Sequence, residues 1–300
     1  MTSVEGMIRD LRRTLHDGGL SGSFLVRDLH SGDELGIDPD LEFPVASLVK
    51  IPLAVATLER VRRGELDGSA QILIEPGMAS PGPNGLSRFR HPTRVAVDDL
   101  LYLGMAVSDN AATDALFALT PPAEVAAILQ DLGVRGVTVR HTIRELTGTP
   151  AELLPPEDVH FAHVLAIEAG TTGRGHRIRQ LDVTLANSGS ARAYLDLLQA
   201  LWTPSKIDAD VAARVRELMG DNLMRQRLAP DFRSDAARWS SKTGTLLNLR
   251  HEVGVVEHAD GRVFGVAAFT ESRVPALHQP EAEALMGRVA RTLRDRLREM

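Results

Sequence analysis

Phe43-Pro44-Val45-Ala46-Ser47-Leu48-Val49-Lys50 places a serine at the head of an apolar segment, with a lysine three residues on. The pattern from Val45 to Arg63 is helical, and Gly64 is its stop. A three-residue step on a helix puts two side chains on one face, one turn apart. A serine hydroxyl is a poor nucleophile until an adjacent base takes its proton. Lysine can act as that base when desolvation and neighbouring positive charge lower its proton affinity. The free N–H groups and positive dipole end of the helix start would polarise an incoming carbonyl.

On the N-terminal side, Val4 to His16 has helical spacing and is ended by Gly18, Gly19 and Gly22; Ser23 to Leu29 follows as a strand. His30-Ser31-Gly32-Asp33 turns the chain into a second short strand. At the other end, Glu252 to Glu257 and Arg262 to Phe269 have a period of two, joined by the hairpin-like His258-Ala259-Asp260-Gly261, and Glu281 to Glu299 closes the chain as a helix. The middle reads as helices over Val97 to Val107, Asn110 to Leu119, Pro122 to Leu132, Ser190 to Leu201 and Ala209 to Leu223, with Val137 to Val139 its one strand-like run. The expected fold is therefore α+β. One antiparallel sheet is built from both chain ends and flanked by the terminal helices, beside an all-helical part. Residues 1–66 and 229–300 form the first part and 67–228 the second, together one domain, with the ligand site in the cleft between them.

Two further polar motifs follow. Ser108-Asp109-Asn110 precedes a helix and by itself has the composition of a helix cap. Trp239-Ser240-Ser241-Lys242-Thr243-Gly244-Thr245 opens a strand. A Ser-x-x-Lys string alone recurs by chance about once in a chain of this size, whereas all three motifs in this order do so on the order of once in a thousand. Lysine usage adds weight. Of 34 basic residues only Lys50, Lys206 and Lys242 are lysines, and two of these stand in the motifs. Base composition accounts for the arginines, but arginine cannot lose its proton at working pH and lysine can.

In these motifs the chain resembles class A β-lactamases and penicillin-binding proteins, from about residue 20 to the end. Pro92 to Leu100 and Leu223 to Leu228 are similar to the family's segments before its second and third motifs. The resemblance implies an acyl-enzyme at Ser47, with Lys50 assisting deprotonation. Ser108 would relay a proton to the leaving group, and Lys242 would hold that hydroxyl and attract an anionic substrate. Asn110 would face the acyl side chain, the Lys242-Thr243-Gly244-Thr245 strand would line the site, and the N–H groups of Ser47 and Thr245 would form an oxyanion hole. Arg250, eight residues past Lys242, is similar to the family's carboxylate-binding arginine, one residue short in spacing.

The resemblance breaks at the deacylating base, a glutamate in Glu-x-x-Leu-Asn. Glu145 falls near that place, but Thr149 stands where the asparagine belongs, and Glu168 in Ala166-Ile167-Glu168-Ala169-Gly170 is a second candidate. The run from Ser108 to Lys242 is also longer than the family's. The expected function is a serine hydrolase acting on β-lactams or related small amides and esters, with weak β-lactam turnover. A non-hydrolytic lactam- or peptide-binding protein, or an accessory protein of β-lactam biosynthesis, stays open as the alternative.

Other classes find less support. A net charge of −6 without a basic run argues against nucleic acid. No cysteine is present for a thiolate metal site. His160, His163 and His176 have chelating spacing but no acidic motif beside them, so structural or surface roles are expected. No cofactor is needed for serine acyl transfer, and the expected partner is a small anionic acyl compound bound by a monomer. The charged N-terminal segment carries no apolar export run and nothing approaches a membrane span, so a cytoplasmic location is expected unless a leader has been removed.

Overall fold

The computed structural model describes residues 3–77, 80–168, 174–234, 236–276 and 278–300. Its centre is a five-stranded antiparallel sheet of β1 (Leu20–Asp28), β2 (Glu34–Ile37), β7 (Ala237–Leu246), β8 (Leu249–His258) and β9 (Val263–Ser272), in the order β2-β1-β9-β8-β7. Both chain ends build it, as expected. The β8–β9 hairpin closes at His258–Gly261, where Gly261 adopts φ 86°, a conformation an L side chain resists.

Side-chain alternation divides the sheet between two cores. Phe24, Val26, Val256, Phe264, Val266 and Ala268 face α1 (Val4–Asp17) and α12 (Pro280–Arg298). Leu25, Leu249, Val253, Val255, Ala267 and Phe269 face the helical part. Because both faces are buried, the strands read as nearly continuous apolar runs.

The second part holds α3 (Val97–Ala106), α4 (Asn110–Leu119), α5 (Pro122–Asp131) and α10 (Ala209–Gly220), packed around α2 (Lys50–Arg62), and α9 (Ala191–Trp202), which lies between α10 and the sheet. It is not helical throughout. β4 (Gln71–Ile74) pairs with β5 (Thr93–Ala96), and β3 (Glu42–Pro44) pairs with β6 (Ser188–Ser190). The strand-like Val137–Val139 contributes one bridge, Thr138 to Ser188. Three or four residues are too few for a period of two to stand out, which is why these ribbons were not legible. Short helices α6 (Ile143–Leu146), α7 (Pro150–Leu153) and α8 (Val159–Glu168) fill the long run after Ser108, and α11 (Ala229–Phe232) precedes β7. Among the described residues, no single helix is long and apolar enough to cross a membrane.

Candidate active site

Ser47 does not begin a regular α-helix. It sits in a 3-10 turn over Ala46–Val49, and α2 starts at Lys50. The turn is held from below by Val45 N–H, which donates to Asn187 O at 2.9 Å, and Ala46 takes φ 48°. Ser108 also takes a left-handed φ, 59°. Non-glycine residues in this region are strained, and such residues concentrate where a function over-determines them.

The three motifs meet in one hydrogen-bonded cluster. Lys50 Nζ donates to Ser108 O at 2.7 Å, to Ser108 Oγ at 3.1 Å and to Asn110 Oδ1 at 3.1 Å. Lys242 Nζ donates to the same Ser108 Oγ at 3.0 Å and to Thr243 O at 3.1 Å. Strand alternation aims it there, since Lys242 pairs with Val253 on the helical face while Ser241 turns to the other side and donates to Glu252. Burial pulls Lys50 down to about 7, opposed by the negative charges of Asp109 and Asp114. Burial pulls Lys242 well below the usual lysine range, and the charges of Lys50 and Arg227 push the same way. Lys206 is exposed, so the two motif lysines are the two buried ones.

Gly244 explains its own presence. A Cβ there would lie 2.8 Å from Val45 O and 3.1 Å from Leu48 Cγ, so β7 can reach the Ser47 turn only with a glycine at this position. Thr243 is buried, and Thr245 is exposed beside the turn, its Oγ1 accepting from Arg227 Nη2 at 2.7 Å. Asp109 caps α4 by accepting from Ala111 N and Ala112 N at 2.8 and 3.2 Å, and its other oxygen accepts from Leu86 N.

Other predicted residues lie differently. Glu145 is tied into the N-terminal cap of α6: its Oε2 accepts from Thr142 N at 2.9 Å and from Thr142 Oγ1 at 3.1 Å. Glu168 is exposed at the end of α8, and Ala169 and Gly170 beside it lie outside the described residues. Asn110 Nδ2 donates to Pro81 O at 2.8 Å, so both ends of its amide are engaged by the protein itself. Arg250 is buried, donating to Leu247 O at 2.5 Å, Leu249 O at 2.8 Å and Ala276 O at 3.1 Å. Burial draws its guanidinium down to about 10. His160 is exposed, whereas His163 and His176 are buried, and both ring nitrogens of His176 contact backbone groups. Among the described residues, no group of three or more His, Asp or Glu side chains is placed to hold a metal.

Three residues were not singled out from the sequence. Asp114 accepts from Ile143 N at 2.7 Å, from Arg144 N at 2.8 Å and from Ser80 Oγ. Arg227 donates to Gly244 O at 2.8 Å and His251 O at 2.6 Å and is ion-paired with Glu283. His251 is fully buried: its Nδ1 accepts from Thr270 N at 3.2 Å, so Nε2 carries the proton it donates to Pro44 O at 2.9 Å. Burial holds this imidazole neutral, down to about 3. Arg227 and His251 thus brace the strands behind the Ser47 turn. In the sequence Arg227 stands among the polar residues Arg225-Gln226-Arg227 and His251 among Arg250-His251-Glu252, with nothing local to set either apart from its neighbours.

A sheet built from both chain ends lies beside a helical part, and two buried lysines meet on one serine hydroxyl. Residues 7–297 match the β-lactamase enzyme family, and the chain belongs to that family. It is 64% identical over 311 aligned positions, covering all of both chains, to a protein named β-lactamase regulatory protein BlaB from Streptomyces cacaoi. The fold is shared with a β-lactamase from Sphaerobacter thermophilus at 21% identity and TM-score 0.77, over 98% of this chain and 97% of that one. It is shared also with the protein PBP-A at 17% identity and TM-score 0.75, over 98% and 96%.

Proposed function

We propose that the chain forms an acyl-enzyme at Ser47 with a β-lactam or a related small amide or ester, releases the acyl group slowly, and serves a regulatory rather than a degradative role. The observation that carries this reading is the convergence of Lys50 and Lys242 on Ser108 Oγ. Neutral Lys50 takes the Ser47 proton as the oxygen attacks the carbonyl. Ser108 then passes a proton to the leaving nitrogen, drawing on the amines beside it. The two amines suit this work because burial lowers the proton affinity of both.

Slow release is supported by the position of Glu145, whose carboxylate is committed to the cap of its own helix. Loss of a well-placed base costs roughly 10²–10⁴ in rate. A long-lived acyl group marks that a lactam has been met, whereas rapid hydrolysis would erase the mark, and this is the sense in which the name of the Streptomyces cacaoi relative bears on this chain.

One observation favours a second reading, non-covalent binding. The three hydrogen bonds of Lys50 go to Ser108 and Asn110, and none reaches Ser47. Intact-mass measurement after incubation with a fluorescent penicillin, and separately with a fluorophosphonate, separates the two. The covalent reading expects one persistent adduct on the native protein, none on Ser47→Ala, and none on Lys50→Arg although the charge is kept. No adduct on the native protein, or equal labelling of Ser47→Ala, leaves only the binding reading.

A further inference from the structure

α4 presents two polar side chains one turn apart on the face nearest Lys50, and they serve adjoining parts of the structure. Asn110 accepts from Lys50 and donates to Pro81 O. Asp114, four residues on, accepts from Ser80 Oγ and from the first two N–H groups of α6 at Ile143 and Arg144. One residue pair therefore ties the 80–81 segment, the start of α6 and the lysine into a single assembly.

We propose that Asp114 is a positioning residue for Lys50: one turn along α4 from the Asn110 that holds the lysine, it pins the start of α6 and the 80–81 segment and supplies negative charge to the Lys50–Ser108–Lys242 cluster. This deepens the acyl-enzyme reading and rests on it for its catalytic meaning. The charged groups around Lys50 are few. Asp109 and Asp114 come from α4 and its cap, and Lys242 from β7, with Arg227 and Glu252 behind Lys242. Asp109 is spent on capping α4 and on Leu86 N–H, so it is a fixed part of the Ser-Asp-Asn turn. Asp114 is the further negative charge, held on α4 by the bonds it accepts from Ser80 and from the start of α6. Burial raises the proton affinity of Asp114 itself, opposed by the hydrogen bonds from Ser80 Oγ, Ile143 N and Arg144 N and by the charge of Arg144.

The sign of the effect is definite. A carboxylate near an ammonium favours the protonated lysine, so removing the charge must lower the pH at which Lys50 titrates. With only three lysines in the chain, protein labelled with ¹³C at lysine Cε gives three titrating signals, assigned with Lys50→Arg and Lys206→Arg. In Asp114→Asn the Lys50 midpoint is expected to fall by roughly 0.5–1 pH unit, while charge-conserving Asp114→Glu stays near the parent. Should Asp114→Asn fail to fold, Asp114→Ser offers a second neutral side chain with an acceptor oxygen and the same expected fall. An unchanged or raised midpoint in a folded neutral variant overturns the proposal. The titration needs no acylation. A protein that resists all acylating probes but shows the shift refutes the acyl-enzyme reading alone, and an acylatable protein without the shift refutes the role of Asp114 alone.

Discussion

Lys50 and Lys242 donate to one oxygen, their Nζ atoms lying 3.1 and 3.0 Å from Ser108 Oγ. Two full positive charges at one buried hydroxyl repel each other in a medium that screens them poorly. The pair is therefore driven to hold fewer than two protons, and it titrates as a unit. A hydroxyl between two such amines is suited to moving a proton without forming a stable ion of its own.

The depressed lysines set a pH dependence of stability. Lys50 titrates at about 7 in the folded chain but near 10.4 when unfolded, so between these values the unfolded state binds more protons. Stability must then rise with pH across that window, and Lys242 adds a slope of the same sign. Urea unfolding at pH 7, 8 and 9 should show a clear rise for the parent and a shallower one for Lys50→Met. Equal slopes would mean that Lys50 keeps an ordinary proton affinity in the fold.

Gly244→Ala sets a methyl group against Val45 O and Leu48 and should push β7 away from the Ser47 turn. The expected stability loss is about 1–3 kcal/mol, as for other overpacked sites. Acylation should slow by roughly 10–100-fold, because small displacements of a nucleophile from its partners cost that much. Stopped-flow labelling with the fluorescent penicillin measures this, and a parent-like rate would show that the turn tolerates the shift.

Glu145 separates capping from catalysis. Gln serves as well as Glu at the third position of a capping box, so Glu145→Gln should leave both stability and adduct lifetime near the parent values. Glu145→Ala should lose about 0.5–1 kcal/mol of stability. A lifetime that lengthens by about 10²-fold or more in Glu145→Gln would identify this carboxylate as the water-activating base after all.

Much of the architecture was legible because it is carried by local pattern. The period of two around His258–Gly261, the glycine stops after α1 and α2, and the long apolar periodicities each reflect a few neighbouring residues. The same holds for the three motifs, where residue type and spacing decide which side chains are able to meet. The short strand pairs β3–β6 and β4–β5 were not legible, because their pairing comes from distant segments and not from any pattern within four residues.

By itself the sequence singled out Ser47, Lys50, Ser108 and Lys242 as the candidate residues for acyl-transfer chemistry, and placed two of the three lysines of an arginine-rich chain among them. Only the tertiary structure decided how hydrogen bonds are shared among them: that both amines choose Ser108, that Glu145 turns back to Thr142, that Arg250 donates to backbone carbonyls, and that Asp114 holds the start of α6. The physical reason is that a buried polar group must find a partner, and which of several chemically equivalent partners lies within 3 Å depends on the packing of segments distant in the chain.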